Sequence, residues 1–226
     1  MRPHDLPTLA LGVTVVTYWL CVGIKAARVT RDGPRLGRIL IPKLRNERLM
    51  WIVWIPVVAT WIAMPFVAPA QAYDRHPWIG LPILEDLPTA VRLLRGLIVL
   101  AAIGCLALSI TCWRYMGRNW RMGIDPGQKS ELLNGGPFRV VRHPIYALSM
   151  TLMVCSVLII PTRAMMILAI LHIGLLHLKA RNEERFLFSV HGSVYSRYCE
   201  RTPRFFPLLH SLRNLGDRPT REGKSL

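Results

Sequence analysis

Arg142, His143, Pro144 and Tyr146 fall within five residues, where a cationic, turn-rich segment meets an apolar one in NGGPFRVVRHPIYALSM, residues 134–150. Proline favours the first helical position and pushes the residue before it out of the helical region, so a helix is expected to open at Pro144 with His143 at its mouth. Free N–H groups at such a mouth, together with the positive end of the helix, suit an anion such as a carboxylate. Arg142 would add a fixed charge there, and Tyr146 shares the same face of the opening turn. Taken singly, Arg142 also reads as an interface anchor and His143 as an ordinary cap.

Just upstream, GIDPGQKSELLNGGPF (residues 123–138) contains Pro126, Gly127, Gly135, Gly136 and Pro137. That density of turn formers predicts a loop whose backbone approaches a ligand closely. In it, residues 131–133 form a short apolar ledge, and the Phe138 ring is placed to cover a flat heterocycle. The plainer alternative is that Leu132, Leu133 and Phe138 anchor the loop to a bilayer interface.

A second constellation lies in HLKARNEERFLFSVHGSVYSRYCERTPRFFP, residues 177–207. On a helix, Lys179 and Glu183 stand at i and i+4 on one face, with Glu184 beside them. Beyond Gly192, Tyr195, Tyr198, Phe205 and Phe206 mix with Arg197, Arg201 and Arg204, a composition suited to an interfacial helix folded back over the membrane surface. For the two glutamates the competing reading is a solvated helix face paired with Lys179 and Arg185.

The elements that must position these groups are membrane helices. The 226 residues are 52% hydrophobic, with 29 Lys and Arg against 13 Asp and Glu. The basic residues fall in blocks between long apolar runs, without the basic-aromatic interleaving expected of a nucleic-acid binder. Spanning a bilayer in helix takes about 20 apolar residues. Residues 6–24 and 49–69 meet that requirement without an internal charge. Residues 96–113 make a third span, with Arg92 and Arg95 expected to extend their heads to the interface. Residues 145–160 and 164–178, parted by Pro161, Thr162 and Arg163, are expected to form a helical hairpin. The expectation is an all-α integral membrane protein of about five transmembrane helices, with a cytoplasmic helical extension at its carboxyl end.

Lysine and arginine collect on the cytoplasmic side of short loops. Residues 25–48 carry eight such groups, whereas residues 70–90 set Arg75 against Asp74, Glu85 and Asp86. The amino terminus is therefore expected outside, and residues 114–142 and 179–226 inside. The first span is expected to stay uncleaved, since no small-residue cleavage site follows it. The five cysteines show no metal-ligand spacing, so no metal is expected. His172 and His177, on different helix faces, are expected to make interior polar contacts. Three regions follow: 1–113 as an amino-terminal membrane part, 114–207 as the part that carries chemistry, and 208–226 as a basic tail.

Taken together and in order, GGPFRVVRHPIY, a short hairpin and NEERFLFSVHGSVYSRYCERTPRFFP resemble the catalytic half of the isoprenylcysteine carboxyl methyltransferase and phospholipid methyltransferase superfamily. The resemblance covers residues 125–207. It implies a membrane methyltransferase that binds S-adenosylmethionine on the cytoplasmic side and methylates a lipophilic or lipidated acceptor among the membrane lipids. The cofactor-contacting pattern falls on Ser130, Glu131, Leu132, Leu133, Phe138, His143, Pro144, Ile145, Tyr146 and Glu183, with Glu184 alongside. Arg142, His143, Tyr146 and Glu183 are the expected catalytic group. Lys179 stands where relatives often carry an arginine near the acceptor. Two departures are visible: Leu148 replaces a common glycine and is expected to narrow the pocket floor, and Phe138 replaces a frequent tyrosine. A sterol-reductase reading with NADPH fits the YC..TP-like ending but lacks an Asn-Tyr-x-Gly-Asp element. A non-catalytic scaffold of the same fold rests on Leu148.

Overall fold

The computed structural model describes residues 6–31, 45–71, 76–80, 87–117, 120 and 132–207. Among them the chain forms six α-helices and no strand: α1 (Leu6–Arg31), α2 (Arg45–Val67), α3 (Thr89–Met116), α4 (Pro144–Ile159), α5 (Arg163–His191) and α6 (Ser193–Arg201). Short 3-10 turns lie at Ala68–Ala70 and Gly136–Arg139. Within α1, α2, α3 and α5 are four segments long and apolar enough to cross a membrane. The chain is an all-α integral membrane protein.

The expected fifth span, α4, is apolar but shorter. Helix α4 has 16 residues, about 24 Å at the α-helical rise and shorter than a hydrocarbon core of about 30 Å. Most of it is enclosed by its neighbours, and it touches α1, α3 and α5. Burial of Ala147, Ser149, Met150, Leu152, Met153, Cys155, Ser156 and Ile159 follows from an apolar character that runs around the whole helix. The other arm of the hairpin, α5, starts where the Thr162 hydroxyl accepts the Met165 N–H at 3.2 Å. It then runs without a break far past its apolar part, to His191. The continuous helix expected beyond Leu178 is therefore present.

Arg95 does not extend to an interface. It is buried, and its guanidinium donates to the Ile159 carbonyl at 3.0 Å and to the Thr8 hydroxyl at 3.1 Å. The last carbonyls of a helix lack intrahelical partners, and Ile159 closes α4 inside the bundle, so a buried donor from α3 satisfies one of them. Arg92, three residues earlier, is exposed as expected. A second polar tie within the apolar core joins α2 to α4, where Trp61 Nε1 donates to Ser156 Oγ at 2.9 Å.

Candidate functional site

The Arg-His-Pro seam opens α4 as its sequence demands: Pro144 occupies the first turn and His143 precedes it at φ −125°, ψ 65°. The seam is also pinned from outside. Arg142 N donates to the Pro203 carbonyl at 2.8 Å and His143 N to the Arg204 carbonyl at 3.0 Å, so residues 202–207 lie across it as a strap. The tail following Gly192 thus forms helix α6 first and an extended strap afterwards. The strap is a feature the composition of the tail did not disclose.

Arg142 is spent on this strap. Its Nη1 donates to the carbonyls of Cys199 at 3.0 Å and Thr202 at 2.8 Å, at the end of α6, and its Nε to Glu184 Oε1 at 3.1 Å. Glu184 also takes Arg204 Nε at 2.9 Å on Oε1, with Arg204 Nη2 on Oε2. Two guanidiniums therefore face one carboxylate. The bond to Glu184 holds the Arg204 guanidinium above its ordinary pKa, so this pair stays ionised. Of the partners in the competing reading, Lys179 and Arg185, Glu184 is bonded to neither; it takes Arg142 and Arg204.

His143 sits between the two glutamates. It is 8% exposed, with Nε2 at 3.2 Å from Glu184 Oε1 and Nδ1 at 3.7 Å from Glu183 Oε2. Its ring stacks on Tyr146 with centroids 5.3 Å apart and planes 3° from parallel. The Tyr146 hydroxyl donates to Glu183 Oε1, which also has Lys179 Nζ at 3.6 Å. The i,i+4 pair read from the sequence is thus present, and His143, Tyr146, Glu183 and Lys179 form one cluster. Phe205 covers its edge, 5.9 Å from the His143 ring and 5.7 Å from that of His177. His177 Nε2 in turn lies 3.5 Å from Arg204 Nη1.

Arg204 and Phe205, missing from the candidate set, are the main additions. The tail's composition contained both residues, but no spacing in the sequence tied either of them to Glu184.

The loop preceding the seam is tied to α3 and α6. Phe138 is buried, its ring 6.2 Å from that of Tyr115, and its carbonyl accepts from the Tyr198 hydroxyl. Burial pushes the Tyr198 phenol up in pKa, which keeps it a donor. Leu132 and Leu133 are half-buried, and Ser130 and Glu131 lie outside the described residues. Ile145 and Leu148 pack on the bundle core.

Gly136 has φ +54°, and a Cβ added there would come within 2.6 Å of Tyr115 Cε2. Left-handed backbone costs a non-glycine residue about 1–2 kcal/mol. Gly136→Ala is accordingly expected to lower the thermal midpoint, and Gly136→Ala with Tyr115→Ala to recover only the part due to the clash. Full recovery in the double variant would show that backbone conformation is irrelevant here.

A groove runs between α2 and α5, lined by Met50, Trp51, Trp54, Leu175, Leu176 and Lys179. Lys179 is common to this groove and to the His143–Glu183 cluster.

Residues 91–193 match the family described as phospholipid methyltransferase. The matched segment runs from the first turn of α3 through α5 to the start of α6, and so contains Phe138, Arg142, His143, Tyr146, Lys179, Glu183 and Glu184. No curated protein shows a significant match to the chain. Over residues 91–193 this membrane protein is thus similar to the phospholipid methyltransferase family, part of the superfamily that also includes the isoprenylcysteine carboxyl methyltransferases.

Proposed function

We propose that the protein transfers a methyl group from S-adenosylmethionine to a lipophilic acceptor at the cluster of His143, Tyr146, Glu183 and Lys179, with residues 114–207 as the catalytic region resting on α3. The observation that supports this most is the convergence of His143 and Tyr146, at the mouth of α4, with Glu183 on α5. The residues present suit the cofactor's charges. His143 supplies no side-chain cap to α4, and the first turn of a helix directs backbone N–H groups at a carboxylate placed before it. Glu183 keeps 25% of its side chain exposed and suits the cationic amine. The charge of Arg142 goes to Glu184 and α6, so in this reading Arg142 positions the site and does not touch the cofactor.

The cofactor supplies an electrophilic methyl group on a sulfonium. What the protein contributes is alignment and exclusion of water. Orientation of two reactants lowers a barrier by about 7–11 kcal/mol in favourable cases, and removal of water strengthens every charge contact in the site. Phe205 and the strap close the site on one side, while Lys179 borders the groove through which an acceptor arrives. A carboxylate acceptor needs no base in this scheme, and no metal is used. The charge bias of residues 25–48 against 70–90 supports an outside amino terminus and a site facing the cytoplasm.

Titration calorimetry of the purified protein with S-adenosylmethionine tests the site. Removing a hydrogen-bond partner of a charged ligand costs about 1.5–3 kcal/mol, so His143→Ala and Glu183→Ala should each weaken binding ~10- to 100-fold. Glu222→Ala, in the basic tail, should leave it unchanged. Equal affinity in all three, with folding intact, would rule the assignment out.

A further inference from the structure

We infer that the groove between α2 and α5 holds one apolar chain of the methyl acceptor, and that Trp54, braced by the buried His172, determines how deep that chain reaches. This rests on the reaction proposed above, since it takes Lys179 and Glu183 to mark the reacting end.

The groove is apolar except at Lys179, whose Nζ lies 3.6 Å from Glu183 Oε1. A chain lying along Trp51, Leu175 and Leu176 would therefore carry its polar end directly to the cluster. From Lys179 to Leu175 is one helical turn, about 6 Å along the axis, so the groove is short. Little of its space is enclosed, so a chain would lie along it as in an open recess beside the bilayer.

The far wall is held in place. Trp54 Nε1 lies 3.3 Å from His172 Nδ1, and the two rings stack 15° from parallel. An indole N–H only donates, so Nδ1 accepts, and a neutral imidazole then carries its proton on Nε2. That nitrogen is 3.0 Å from Ser149 Oγ on α4, which receives it. His172 is fully buried, with Trp61 edge-on at 5.0 Å and Trp19 at 6.4 Å. Rotation of Trp54 out of the way would leave the His172 acceptor unsatisfied in an apolar interior, which is costly. The Trp54–His172–Ser149 chain thus turns a mobile aromatic into a fixed stop, and it gives the interior polar contact expected of His172 a role.

Photolabelling of the full chain in lipid nanodiscs with diazirine-bearing fatty acids, followed by peptide mass spectrometry, tests this. Labelling is expected to concentrate on residues 50–54 and 175–179. Leu175→Trp, which fills the groove, should reduce it at least 10-fold without altering S-adenosylmethionine affinity. In Trp54→Ala and His172→Phe, probes with the diazirine farther along the chain should label α2 beyond residue 54. Labelling spread evenly over lipid-facing residues such as Leu97, Leu100 and Ile103, and unchanged in Leu175→Trp, would overturn the inference. If Leu175→Trp fails to fold, the wild-type labelling map alone decides. A wild-type protein that labels in the groove but does not bind S-adenosylmethionine would sink the proposed reaction and leave the groove standing.

Discussion

Arg142→Lys is expected to release the carboxyl-terminal strap almost as completely as Arg142→Ala, although it keeps the charge. Arg142 bonds three separate acceptors, Glu184 and the carbonyls of Cys199 and Thr202, and only a planar fork with several fixed donors reaches all of them. Hydrogen bonds from a charged donor contribute about 1.5–3 kcal/mol each. Loss of two of them, after partial relaxation, should cost the strap ~3 kcal/mol, roughly a 100-fold rise in its opening. Hydrogen exchange at the His143 amide, which is bonded to the Arg204 carbonyl, reports that opening. Strap stability retained in the lysine variant would return Arg142 to the role of a simple charge at the helix mouth.

Glu184→Ala should be comparably severe, for the opposite reason. It leaves Arg142 and Arg204 facing each other beside His143 without the carboxylate that joins them. Removing one member of a buried ion pair costs about 3–5 kcal/mol. The lower end applies here, because Arg204 keeps 31% of its side chain exposed. Faster tryptic cleavage after Arg204 and weaker S-adenosylmethionine binding are the expected readouts. Arg204→Ala, which leaves Glu184 bonded to Arg142, should be milder. If the Glu184→Ala, Arg204→Ala double variant is no more stable than Glu184→Ala, repulsion between the two guanidiniums is not the cause.

The sequence by itself determined whatever depends on neighbours along the chain. Apolar length called for the membrane helices. Pro144 started α4, because its ring and missing N–H suit a first turn. The spacing of Lys179 and Glu183 placed them together, since four residues make about one turn. The family resemblance drawn from GGPFRVVRHPIY and the later glutamates is matched by the family segment 91–193.

Tertiary structure decided which partner each charge takes. Arg95 looked like an interface anchor because its sequence surroundings contain no acceptor. Its acceptors come from α4 and α1, 64 and 87 positions away. Arg142 looked like a free cation at a helix mouth for the same reason, yet α6 and Glu184 claim it from 42 to 60 positions downstream. A guanidinium has five donors and a long reach, and in a membrane protein buried donors must find acceptors wherever the packing brings them. Local spacing therefore located the helix mouth and the Lys179–Glu183 pair, while the strap, the Glu184 hub and the Trp54–His172 stop depended on which helices came to lie side by side.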